Sequence, residues 1–176
     1  MADFLSPDLA GLPLAHFMRA AQSEAEAAGQ AGELPIGAVV VIDGEIVTRG
    51  RARHQAHRSQ IRHAELNALL EGGERLWRDY RRAILVTTVE PCPMCLGAAV
   101  MADVPHIIFG LPDLNVQSAL SVATNPYIHR HIKSYAGGVL AEESVALFTR
   151  YAPRDLEYIR TVSRFAPEMP AAEACS

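Results

Sequence analysis

The chain has 176 residues, 49% of them apolar and 20% charged, and its 16 basic against 20 acidic side chains leave a formal net charge of −4. That is the balance of a soluble globular protein with one sizeable core, and it excludes a general attraction to nucleic acid while leaving room for a local basic patch. No apolar run approaches the roughly 18 residues of a membrane span, and the opening MADFLSPDLAGLPLAHFMRAA lacks a signal peptide's basic start, so a cytoplasmic protein without a membrane partner is expected.

In chain order, Ser6-Pro7-Asp8 predicts a helix start, and alanine-rich helix formers carry the helix to Gly29. IGAVVVIDGEIVTRG sets two β-branched runs about Asp43-Gly44, a hairpin signal. The following RGRARHQAHRSQIR (49–62) holds five arginines and two histidines in fourteen residues, either a solvated loop or a basic patch. A second helix is expected from His63 to the Gly72-Gly73 pair, RAILVTTVE (82–90) reads as a buried strand, CPMCLGAAVMA as a helix lying close on a sheet, and HIIFG (106–110) as another strand. Beyond Gly110 the pattern gives a short helix near 115–122, irregular chain, and a helical period interrupted at Pro153. This order places the protein in the α/β class, with no internal repeats.

Cys92 and Cys95 stand three apart between Pro91, Pro93 and an apolar run, which puts both sulfurs at a helix N-terminus, where the dipole favours thiolates. The spacing suits a redox pair, a structural zinc knuckle or a catalytic zinc. Cys175, one residue from the end, reads as a free surface thiol. Twenty-nine positions upstream of Cys92, His63 is a good zinc ligand, and Glu65 follows two residues later. A spacing of two turns side chains about 200° apart on a regular helix, so His63 and Glu65 share a pocket only at the helix N-terminal end. His63, Cys92 and Cys95 as ligands would leave the fourth position of a tetrahedral zinc for water, with Glu65 as general base and then acid. A structural zinc would need a fourth ligand from His54, His57 or Cys175, and a thioredoxin-like pair would leave His63 and Glu65 idle.

HAE followed by PCPMC matches the H-x-E…P-C-x-x-C signature of zinc deaminases acting on nucleobases. With ELPIGAVVVIDGEIV, TTVEPCPMCLGAAVMADVPHIIFG and GGVLAEESVALF, the chain from about residue 15 to 150 resembles the cytidine deaminase-like superfamily, in the branch of tRNA adenosine deaminases, guanine deaminases and fungal-type cytosine deaminases. The resemblance implies a three-layer α-β-α sandwich about a five-stranded mixed sheet, a homodimer, and hydrolytic loss of an exocyclic amino group as ammonia. It also implies zinc on His63, Cys92 and Cys95, proton shuttling by Glu65, and substrate contacts from the backbone N–H groups of Ala64 and Cys92. One deaminase domain over 1–176 is expected, with a core at about 15–150 and a helical segment and flexible tail over 151–176.

The chain departs from this branch at position 52, where an asparagine that hydrogen-bonds the substrate usually stands eleven residues before the zinc histidine; Ala52 cannot make that contact. The usual D-P-T is replaced by Ser59-Gln60-Ile61. Either Arg51, Arg53 or His54 reads a polar or anionic substituent of a different amino-heterocycle through charge-assisted hydrogen bonds, or the register shifts and another residue supplies the contact to the ordinary substrate; the first is the expectation. Asp113 is a candidate for the pocket wall, or with Pro112 for a plain turn, as is its neighbour Asn115. His129 and His131 read as surface groups, and Phe148, Tyr151 and Tyr158 as packing aromatics. The C-terminal APEMPAAEACS carries two glutamates and no base, so the charge distribution favours a free nucleobase or related amino-heterocycle, with tRNA adenosine deamination second and a non-catalytic binding module on the same fold third.

Overall fold

The computed structural model describes residues 4–161, so Cys175 and the acidic tail lie outside the described residues. Ser6 caps only a single 3₁₀ turn at Pro7–Leu9, accepting from the Asp8 N–H at 3.2 Å. The helix expected to run on from there breaks at Gly11, with φ +79°, and at Pro13, which has no N–H to give; α1 spans Leu14–Gln30. The hairpin forms as expected from β1 (Gly37–Ile42) and β2 (Glu45–Arg51), with Asp43 and Gly44 both at positive φ, 54° and 79°.

The arginine-rich stretch contains a one-turn helix, α2 (His54–His57), ended by Arg58 at φ 48°. Next come α3 (Ala64–Glu71) and α4 (Gly73–Asp79); the glycine pair stops α3 as expected but starts a new helix at once, Gly73 making the bend at φ 48°. The strand β3 (Ala83–Val89), the helix α5 (Pro93–Met101) and the strand β4 (His106–Leu111) follow the predicted order. The chain beyond them is more regular than expected: α6 (Ser118–Thr124), α7 (Pro126–His131), β5 (Ser134–Ala136), α8 (Ala141–Tyr151) and α9 (Pro153–Arg160), the last two divided at Pro153.

The strands form one sheet in the order β2-β1-β3-β4-β5, antiparallel at the hairpin end and parallel from β3 onward. Strand alternation divides the core. Ala38, Val40 and Ile42 join Ala64, Ala68, Leu96 and Ala99 under α3 and α5, while Val39 and Val41 join Phe17, Met18 and Ala21 under α1. On that second face α8 lies beside α1, with Gln22 Nε2 donating to the Leu140 carbonyl at 3.0 Å. The result is the three-layer sandwich expected. Gly50 lets α3 sit directly on β2, since a Cβ there would lie 2.3 Å from the Ala64 carbonyl oxygen.

Both sides of the sheet are modified. Outside β5, Phe4 exchanges hydrogen bonds with Tyr135 at 3.1 and 3.0 Å. On the other side, the β1/β2 register shifts between Val40 and Val41, and β2 carries Glu45, Arg49 and Arg51. No helix of the described residues is long and apolar enough to cross a membrane.

Candidate active site

The ends of two helices meet at one point. His63 is the N-cap residue of α3 and Cys92 that of α5, with Pro93 opening the helix, so the side chains flanking both starts project toward the same space. One donor atom from each of His63, Cys92 and Cys95 lies within 4.8 Å of the other two, and Cys92 Sγ is 3.6 Å from His63 Nδ1. Both cysteines are free thiols. The hydrogen bond from Cys95 pulls the Cys92 thiol down to about 4, with His63 assisting and burial opposing. The same bond, followed by burial, pushes Cys95 upward, and the Cys92 bond holds the His63 ring above its usual range against burial.

The donor set therefore fits zinc: two sulfurs and one imidazole nitrogen converge, the surroundings of Cys92 favour its thiolate, and among the described residues no fourth donor joins them. His54 lies edge-on to His63 with ring centroids 5.0 Å apart, outside the group, and His57 is exposed. Neither completes a closed structural site. Glu65, 3% exposed, stands beside the set; burial raises its carboxyl above the ordinary carboxylate value, its own backbone N–H and Cys95 opposing.

His63, Glu65 and Cys92 line a pocket of about 270 Å³ with largely apolar walls from Leu34, Ile36, Val89, Phe148 and Ile159. Ala52, Ala64 and Asp113 line it. Ala52 is 1% exposed and its N–H is tied to the Ile36 carbonyl. Asp113 serves a turn as well, its Oδ1 accepting from the N–H groups of Asn115 and Val116. Asn115 instead ties its loop to the last helix, donating to the carbonyls of Tyr158 and Thr161. Beside it, sharing Leu34, Ile36, His54, His63 and Asp155 as wall, is a wider, more polar basin of about 770 Å³ lined also by Gln55, Arg58, Ser59 and Gln60.

The arginines of the basic stretch separate. Arg51 pairs with Glu24 at 3.7 Å, Arg62 donates to Asn67 at 3.3 Å, and Arg53 and Arg58 are exposed. One contributor to the site has no signal in the sequence, Glu33, buried behind α2; of the aromatics expected to pack, Phe148 does so, fully buried in the core while also lining the pocket, and Tyr158 instead lines the pocket from an exposed position on the last helix. His131 rests 3.7 Å from Asp103, and His129 bonds the Val122 carbonyl, both away from the site.

The sequence profile of the cytidine and deoxycytidylate deaminase zinc-binding region matches residues 13–111, which carry all four central groups. The chain belongs to this deaminase family. It is a zinc-dependent hydrolase acting on C–N bonds. A tRNA-specific adenosine deaminase of Bacillus subtilis (strain 168) is 35% identical over 139 residues, 77% of this chain and 86% of the relative. A chain solved in a study of A-to-I editing by tRNA:A34 deaminases at the wobble position of transfer RNA superposes with a TM-score of 0.66 at 30% identity, covering 75% of this deaminase and 98% of itself. A guanine deaminase from Bacillus subtilis gives a TM-score of 0.51 at 30% identity, covering 65% and 73%.

Proposed function

We propose that this deaminase converts adenosine to inosine in a transfer RNA, on a base turned out of a single-stranded loop. Its likeness to a tRNA-specific adenosine deaminase across the site-bearing part of the chain carries the reading. The paired cavities support it: an inner pocket of about 270 Å³ suits one base, and the polar basin of about 770 Å³ beside it gives flanking nucleotides a place near Arg58. This reverses the order drawn from charge, because a net charge of −4 sums the whole chain whereas phosphates meet only the rim.

His63, Cys92 and Cys95 would hold the zinc, which when bound supplies a Lewis acid that makes water a nucleophile near neutral pH. The apolar wall excludes bulk water around the reacting carbon. Glu65 takes one proton from water on its carboxylate oxygen and passes it to the ring nitrogen, then carries the water's second proton to the departing amine, so that adenosine and water give inosine and ammonia. Backbone N–H groups at Ala64 and Cys92 hold the ring edge. We also read the described residues as one catalytic unit, since α9 completes the pocket wall begun by α3 and α5.

The test offers the zinc-loaded protein an anticodon stem-loop with adenosine at the wobble position, beside free adenine, guanine and cytosine, and measures ammonia. RNA-dependent release that falls by at least about 100-fold in Glu65→Gln is expected. Release from a free base alone overturns the RNA reading and favours the second one, a small-ring deaminase, for which Ala52 is the specific observation: the ordinary ring-binding side chain is gone.

A further inference from the structure

A pocket discriminates between rings when its buried polar groups would be left unpaired by the wrong one. Ala52 supplies no such group, so another wall residue must. Several polar neighbours are already engaged. Glu90 accepts from Tyr135 Oη at 3.0 Å and from the Asp113 N–H at 3.1 Å, and Asp113 Oδ1 closes its own turn. Glu65, His63 and Cys92 belong to the reacting centre. Asp155 and Tyr158 are exposed on α9.

His54 remains, two residues beyond Ala52, on the wall of both the inner pocket and the outer basin. Its side chain is 13% exposed and held from two sides. Nδ1 lies 4.0 Å from Glu33 Oε2, and the ring stands at 76° to that of His63. Glu33 is itself immobilised, accepting from the N–H groups of Gln55 at 3.0 Å and Ala56 at 2.8 Å. A carboxylate facing Nδ1 favours the tautomer with its proton there and leaves Nε2 as an acceptor.

We infer that His54 is the specificity-determining residue of this pocket, its Nε2 hydrogen-bonding the polar edge of the reacting nucleoside, ring or ribose, that Ala52 cannot serve. Glu33 is its positioning partner. The assignment rests on the proposed deamination of adenosine in RNA.

The experiment compares wild type, His54→Leu and His54→Gln, all zinc-loaded, on the wobble-adenosine stem-loop and in parallel on free adenine and guanine, with zinc content and melting temperature measured for each. His54→Leu is expected to raise KM about tenfold or more, with kcat reduced less and zinc content unchanged, and His54→Gln to recover much of the loss because its amide again offers an acceptor. An unchanged KM in His54→Leu overturns the inference. So does a joint fall of kcat and zinc content at constant KM, which would make His54 a support for the His63 ring. Turnover of a free base alone by wild type removes the RNA reading, and the KM comparison on that base then decides for His54. Should wild type turn over neither, stem-loop binding by Glu65→Gln and by Glu65→Gln/His54→Leu decides: weaker binding by the double variant supports the inference, and equal binding, or none by either, overturns it.

Discussion

Glu33 is 4% exposed in its side chain, so water contributes little to its charge and the protein must supply the rest. Burial opposes ionisation, yet the two backbone donors at Gln55 and Ala56, with His54 nearby, outweigh it and hold the carboxyl below its ordinary value of 4.5. A carboxyl depressed by folding stabilises the native state above the unfolded pKa, and that contribution is lost as pH falls through the lower, folded value. In chelator-treated protein, where metal loss does not intrude, unfolding midpoints should therefore fall below about pH 4.5. Glu33→Gln should lower stability by about 1–2 kcal/mol at pH 7 and flatten that acid limb; an unchanged limb would place the acid sensitivity elsewhere. At position 52, Ala52→Asn is expected to leave kcat/KM on the true substrate within about threefold, since His54 occupies the reading role; a gain above about tenfold would restore that role to residue 52. The metal donors and Glu65 were legible because their chemistry is written in short spacings. Glu33 was not, nor was its pairing with His54, one of the three readers expected, because that partnership depends on α2 folding back over a residue 21 positions earlier, which no local pattern announces.

Regular elements with strong alternation or small apolar faces were equally readable, as β1, β3, β4 and α5 show. The fifth strand was not: Ser134–Ala136 is three residues long and owes its form to parallel pairing with β4, a tertiary cause. The late start of α1 has the opposite lesson, since Gly11 and Pro13 stood in plain view and outweighed the cap at Ser6. Gly50 is where an element's placement is most open to test. A methyl group there would meet the Ala64 carbonyl at 2.3 Å and the Ala68 nitrogen at 2.4 Å, all backbone atoms that cannot swing aside. Gly50→Ala should cost about 1–3 kcal/mol in denaturant unfolding and, by lifting the helix that carries His63 and Glu65, reduce zinc occupancy. Full stability with full occupancy would show that α3 has slack.

For the whole molecule, the donor set joins two segments 29 residues apart and so ties α3 to α5 across the top of the sheet. A ligand bound to the native state alone stabilises it by mass action, about 2.7 kcal/mol at a hundredfold excess over Kd. Chelation should lower the melting temperature by about 5–10 °C and restored zinc should return it, as calorimetry would record; a transition indifferent to chelator would mean that the helices hold their places unaided.

The sheet's borders carry a different consequence. An unprotected outer strand is a template on which another chain can continue the ladder. Here the β5 side is occupied by the protein's own residue Phe4, and the β2 side combines a register shift with the charges of Glu45, Arg49 and Arg51. Among the described residues, ribbon growth by strand addition is thus discouraged at both borders, which works against fibre formation by the folded protein.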